Sequence, residues 1–123
     1  MLYKYRNNYE KITMGLLSLI PDLENVDHLK IELKLYNDNE HLLFLWKKNK
    51  NDDFNGVIGI QFIDNMIFIR YISFNPSNKS NNNINNILND LHNLYPKKKI
   101  VGTIELTPKI LNWEKTQKKL LKN

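Results

Sequence analysis

Apolar positions along this chain fall into two periods, and each period marks a different kind of element. From Met66 to Phe74 the sequence is a nearly unbroken run of apolar, β-branched and aromatic residues, Met-Ile-Phe-Ile-Arg-Tyr-Ile-Ser-Phe. That pattern predicts a strand covered on both faces. Asn75-Pro76 ends it, because proline has no N–H for a ladder and keeps the residue before it out of the helical region. A polar stretch follows. Then Ile84, Ile87, Leu88 and Leu91 recur at the spacing of one helix face, with the helix running towards Tyr95. A buried strand therefore feeds a polar loop, which feeds an amphipathic helix. Ligands bind at such junctions, since the first N–H groups of the helix have no intrahelical partner and point outward.

The rest of the chain can be read in order. Leu2 to Tyr5 alternates apolar with basic residues, as an edge strand does. Asn7 or Asn8 is placed to cap a helix carrying Ile12, Leu16, Leu19 and Ile20, which Pro21 ends. A second helix starts near Asn25, with Val26, Leu29, Leu33 and Tyr36 on its stripe. Glu32 and Tyr36 share a face there and read as ordinary surface chemistry. After the break at Asn37–Asn39 come strands at His41–Lys47 and Gly56–Ile63, separated by a mobile loop, Asn49–Asn55. Asp64-Asn65 favours a type I′ hairpin into the Met66 strand, since both residues tolerate positive φ. After the Ile84 helix, Lys97-Lys98-Lys99 leads into the apolar run Ile100–Ile104. A strand–helix–strand crossover of this length is parallel and right-handed. Pro108 opens a last helix, followed by Ile110, Leu111, Trp113, Gln117, Leu120 and Leu121. The order is β-α-α-β-β-β-α-β-α. The expected fold is α/β, with a mixed sheet, an antiparallel meander, one parallel crossover and helices on both faces.

Composition narrows the chemistry. A chain of 123 residues forms one domain, 1–123, with enough length for a core. The absence of Cys removes disulfides, a thiolate nucleophile and thiolate metal sites. His28, His41 and His92 show no metal spacing and read as surface residues. No apolar run reaches the roughly 20 residues of a membrane span, and the N-terminal region has no cleavage pattern, so a cytoplasmic location is expected. The net charge of +5 is carried mostly by Lys. Lys97–Lys99 with Lys115, Lys118, Lys119 and Lys122, near Tyr95 and Trp113, would be the patch for a nucleic acid. Arg occurs only at Arg6 and Arg70, and a binder normally interleaves Arg with aromatics, so this ranks third among the readings. Arg70, amid apolar residues, requires an ion partner if buried, or faces a cleft. Trp46 and Trp113 read as packing residues.

Several segments together resemble one superfamily. They are Tyr5-Arg6 through Tyr9-Glu10-Lys11-Ile12, Met14-Gly15-Leu16-Leu17-Ser18, Leu43-Phe44-Leu45-Trp46-Lys47, Gly56-Val57-Ile58-Gly59, and Ile69-Arg70-Tyr71-Ile72-Ser73-Phe74-Asn75-Pro76-Ser77. With the element order, they resemble the GNAT superfamily of N-acetyltransferases, and more narrowly its small RibT-like members from bacterial riboflavin-synthesis operons.

The resemblance implies acetyl transfer from acetyl-CoA to an amine on a small molecule or peptide, with a link to riboflavin biosynthesis. In the superfamily, the loop after the fourth strand holds the acetyl-CoA pyrophosphate on backbone N–H groups, in a pattern Gln/Arg-x-x-Gly-x-Gly/Ala. Carried over, its basic position is Lys79, its first glycine Asn82 and its second small residue Ile84, with Asn81 and Asn83 between. This chain departs at both glycines, and a β-branched Ile84 is expected to crowd the phosphate. The pantetheine arm would pair with the backbone of Ile72, Ser73 and Phe74. Glu105 is the implied base and Tyr71 the other proton carrier. The superfamily's tyrosine acid falls near Trp113, which is no useful acid. No strands follow Leu111 to wall the substrate side, so that side is open or closed by a homodimer. The alternative is a degenerate member that has lost its phosphate loop and acts by binding a partner or small molecule.

Overall fold

The computed structural model describes residues 1–122, with side-chain surroundings through Lys119; Leu120, Leu121 and Lys122, expected on the last stripe or in the basic patch, lie outside the described side chains. The elements are β1 (Leu2–Lys4), α1 (Glu10–Leu17), α2 (Val26–Leu35), β2 (His41–Trp46), β3 (Gly56–Ile63), β4 (Met66–Phe74), α3 (Asn81–Leu94), β5 (Lys99–Gly102) and α4 (Thr107–Lys122). They build one mixed sheet in the order β1-β2-β3-β4-β5. The first four strands pair antiparallel, and β5 joins β4 in parallel after the α3 crossover. This is the architecture that the hydrophobic periodicities predict.

Helices cover both faces, which is why β4 reads as a continuous apolar run. One core packs α1 and α2 on the sheet through Leu16, Leu17, Leu29, Leu43, Leu45 and Val57. The other packs α3 and α4 on the opposite face through Ile58, Ile60, Ile67, Ile87, Leu88, Leu91 and Trp113. The stripe Ile84, Ile87, Leu88 and Leu91 is wholly buried. Two indoles fix this second layer. Trp46 Nε1 donates to Asp90 Oδ2 at 2.8 Å and Trp113 Nε1 donates to Asn89 Oδ1 at 2.7 Å, so both tryptophans are packed and satisfied.

A bulge divides β4. Gly59 pairs with Tyr71 while Ile60 pairs with Ile69, so Arg70 is an extra residue with no partner on β3. A bulge of this kind reverses the facing of everything beyond it. Before it, Ile67 and Ile69 face α3; after it, Ile72 and Phe74 do, and Tyr71 turns to the α1–α2 side. Ser73 turns the same way and donates through Oγ to the Leu16 carbonyl at 2.8 Å.

The N-terminal helices differ from their expected stripes. No asparagine side chain caps α1; a 3-10 turn at Asn7–Tyr9 leads into it instead. Its buried residues are Thr13, Leu16 and Leu17, while Ile12 and Leu19 are exposed. Thr13 tolerates burial because its Oγ1 donates to the Tyr9 carbonyl at 2.7 Å. The helix stops at Leu17, and Pro21 opens a separate 3-10 turn. Asn25 does cap α2, its side chain accepting from the N–H groups of Asp27 and His28. Val26, expected on the buried stripe, is exposed. At the hairpin only Asp64 takes positive φ, 52°, so the turn is not the type I′ with both central residues in the left-handed region.

Candidate functional site

β4 and β5 share only part of their length. Their ladder runs from Met66 opposite Lys99 to Ile69 opposite Gly102, whereas β4 continues to Phe74 against β3. Beyond Gly102 the chain leaves the sheet through the Thr103–Leu106 turn, where the Leu106 N–H donates to the Thr103 carbonyl at 3.1 Å, and enters α4. The side of β4 that would face β5 is therefore unpaired from Arg70 onward. A cleft of about 800 Å³ opens there. Its floor is β4, from Phe68 to Phe74. The α1–α2 connection, Leu19–Leu23, forms one wall, and the Thr103–Leu106 turn with Lys109 forms the other. Lys79 and Ile84 border it where α3 begins.

A polar network crosses the floor at the bulge. Arg70 donates from Nε and Nη2 to the two carboxylate oxygens of Glu32 on α2, each at 2.8 Å. Tyr36 donates to the same carboxylate at 3.0 Å, and its hydroxyl is bonded to that of Tyr71. The hydrogen bonds run from Tyr71 to Tyr36 to Glu32, with Arg70 closing on the other side. Burial alone would raise the Glu32 pKa, but hydrogen bonds from Arg70 and Tyr36 outweigh it and hold the carboxyl below its usual range. Burial, reinforced by the neighbouring Tyr36 and Glu32, pushes the Tyr71 hydroxyl far above the ordinary tyrosine range, and burial raises that of Tyr36 as well. Gly59 makes room for this pair: a Cβ there would lie 2.7 Å from the Tyr71 ring.

The sequence-predicted residues fall as follows. Ile72, Ser73 and Phe74 lie on the unpaired stretch of β4 and line the cleft. Lys79 is exposed at its rim. Asn81, Asn82, Asn83 and Ile84 are not loop residues but the first turn of α3, capped by Ser80, whose Oγ accepts from the Asn83 N–H at 3.0 Å. Since Asn82 is helical, its backbone has no need of the left-handed conformation that glycine permits. Ile84 is 6% exposed and packs into the α3 core, so its burial, not a place over a phosphate, accounts for the side chain. Among the described residues, the N–H groups of Asn81 and Asn82 have no hydrogen-bond partner. Glu105 is exposed in the turn after β5 and lines the cleft, without an ion pair or hydrogen bond among the described residues. Tyr71 also lines it, but its hydroxyl is engaged by Tyr36.

Other expectations change. Glu32 and Tyr36 are not surface chemistry but half-buried parts of the cleft floor and its support. Sequence reasoning missed them because their partners lie some forty positions away; the only local signal is their i, i+4 spacing. Lys109, also missed, sits one residue beyond Pro108 in the first turn of α4 and brings a second lysine to the cleft. His41 is buried, with Nδ1 2.9 Å from Asp38 Oδ1, rather than on the surface. Trp113 is 5% exposed, which removes an aromatic from the expected nucleic-acid patch. No described helix is long and apolar enough to cross a membrane.

No family model matches the chain. A protein of Bacillus methanolicus, named as an uncharacterized N-acetyltransferase in the lysA 3' region, is 34% identical over 103 residues, covering 82% of this chain and 84% of its own. The aminoglycoside 6'-N-acetyltransferase of Acinetobacter haemolyticus superposes with a TM-score of 0.63 at 9% identity, over 86% of this chain and 80% of that one. AAC(6')-Iy, solved with the bisubstrate analogue CoA-S-monomethyl-acetylneamine, gives 0.61 at 10% identity, over 98% and 88%. A chimera of the spermidine N-acetyltransferase of Vibrio cholerae gives 0.61 at 16% identity, over 94% and 79%. At these identities the solved structures speak for the fold alone.

Proposed function

The chain belongs to the GNAT superfamily of N-acetyltransferases, and from that premise we propose that it transfers an acetyl group from acetyl-CoA to a primary amine on a small molecule or peptide. The observation that carries this is the separation of β4 from β5 after Ile69, which opens a cleft against unpaired strand backbone.

The residues present suit acetyl-CoA. Ile72, Ser73 and Phe74 offer strand backbone to an amide-bearing arm. Lys79 and Lys109 border the cleft, Lys79 just before α3, the helix that Asn81 and Asn82 open, and a helix start favours an anion such as the pyrophosphate that would end that arm. When bound, acetyl-CoA supplies an acetyl group activated as a thioester. An alkylammonium must lose a proton before it can attack. Glu105, free in the cleft, takes that proton directly or through one water. Tyr71, tied to Tyr36, holds the floor in shape. Positioning of two reactants in one cleft contributes a large part of the acceleration.

The test is calorimetric titration with acetyl-CoA, and separately with CoA, followed by a thiol-release assay over amines. Binding near micromolar, about −8 kcal/mol, and thiol release that Glu105→Gln slows, are the expected results. No heat at millimolar ligand would overturn the reading. A second reading, a fold that binds without turnover, draws on Trp113: it stands near the expected acid position, is buried, and donates to Asn89. Binding without thiol release would favour it. The link to riboflavin metabolism rests on sequence resemblance, and flavin precursors bearing amines belong in the screen.

A further inference from the structure

We propose that Arg70 binds a carboxylate of the acceptor, so that the amine acetylated is an amino acid or a close relative carrying both groups. This deepens the acetyltransferase reading and rests on it for the identity of the cleft. The guanidinium of Arg70 has five N–H donors in a planar fork. Glu32 takes one edge, Nε with Nη2, at 2.8 Å on both contacts. The other edge, the outer hydrogens of Nη1 and Nη2, has no partner among the described residues. It is not sealed in either: Arg70 keeps 28% of its side chain accessible, and it lines the cleft.

An arginine held flat by one carboxylate, with its second edge unengaged among the described residues and its side chain lining a cleft, is pre-organised for a second carboxylate. Its orientation is already fixed by Glu32, and Glu32 by Tyr36. Such a fork recognises a planar oxyanion in two parallel bonds. Placement separates this cation from the others. Lys79 and Lys109 border the cleft where α3 and α4 begin, whereas Arg70 is the bulge residue at the point where β4 and β5 part. The carboxylates Asp22 and Glu105 on the two walls, which have no ion pair or hydrogen bond among the described residues, suit the ammonium end of the same molecule.

The experiment pairs each of a panel of L-amino acids with its L-amino acid amide, which keeps the amine and removes the negative charge. Calorimetry on the protein alone measures binding, and thiol release with acetyl-CoA measures turnover. At least one amino acid should bind about tenfold more tightly than its amide. Arg70→Lys, which keeps the charge but loses the fork, should bring that ratio close to one. The double variant Glu32→Gln with Arg70→Gln removes both charges together, and should do the same while thermal melts confirm folding. If no amino acid outbinds its amide, or the ratio survives in Arg70→Lys, the proposal is overturned. Amino acid binding without thiol release would leave the carboxylate site standing and sink the acetyltransferase reading. Turnover of amides as fast as amino acids would do the reverse.

Discussion

At the scale of the residue, the informative feature is a carboxylate that looks unremarkable in the sequence. Glu32 and Tyr36 sit at i, i+4 on a polar helix face, where most such pairs are solvated. What makes them different are Arg70, which alternation from Ile69 already turns to the α2 side, and Tyr71 beside it, which only the bulge in β4 brings round to the same side. A bulge has no sequence mark when both faces of a strand are apolar, because the alternation that would reveal a shift is missing. Arg70 was legible as a residue that required a partner, but the partner was not. A pH test belongs at this scale. Glu32 is held below its ordinary value of 4.5 in the folded chain. The unfolded chain therefore takes up the proton first. The stability that this pair adds is fully present above the unfolded value, and it is lost as the pH falls through the folded one. Glu32→Gln should unfold at lower urea concentration at pH 7, by about 1–2 kcal/mol for a half-buried charged hydrogen bond. The difference from the unsubstituted chain should shrink as both are taken below pH 4. A gap that stays constant with pH would mean that the carboxylate's charge contributes nothing.

At the scale of the element, α3 was the most legible part of the chain. Its four apolar positions meet the sheet as their spacing predicts, and the crossover it makes is parallel. Its first turn was less legible. A run of asparagines has weak helix propensity and reads as loop, yet Ser80 caps it and Ile84 anchors it in the core. Tertiary burial of one stripe overrides the local preference. The same override rotates α1, where Thr13 replaces Ile12 in the interior because its hydroxyl is satisfied within the helix. The cap is thus the local device that fixes where α3 starts and how its first N–H groups are presented. Ser80→Ala should cost about 1 kcal/mol in a urea titration. It should also weaken acetyl-CoA binding about two- to fivefold by calorimetry, since a fraying first turn no longer holds the Asn81 and Asn82 N–H groups in place. Loss of stability with unchanged affinity would show that the phosphate is held elsewhere.

At the scale of the whole molecule, two cores share one sheet, and the cleft lies where the sheet parts. The α1–α2 connection belongs to one core; the starts of α3 and α4 belong to the other. A ligand spanning the cleft would touch both, so its binding should stabilise the chain as a unit rather than one layer of it. The junction after β4 was legible in the sequence as a place for a ligand, but that β5 pairs with only part of β4 and so leaves an open edge was not, since it depends on where β5 ends and not on element order. The lining of the cleft did not follow from order either, since Lys109, Glu32 and the wall at Leu19–Leu23 come from separate parts of the sequence. Ligand linkage turns the argument into a measurement. At a free acetyl-CoA concentration of 100 times Kd, stabilisation should be about 2.7 kcal/mol, which for a domain of this length raises Tm by roughly 10 °C. Hydrogen exchange should then slow in β2 and β3 beneath α1–α2 as well as beneath α3, with a single melting transition retained. Lys79→Glu should reduce the Tm shift and make what remains fall less with added salt, since the attraction of this exposed rim lysine for the phosphates is what salt screens. Protection confined to α3 and α4 would mean that the two cores respond separately, and that the ligand reaches only the wall where those helices begin.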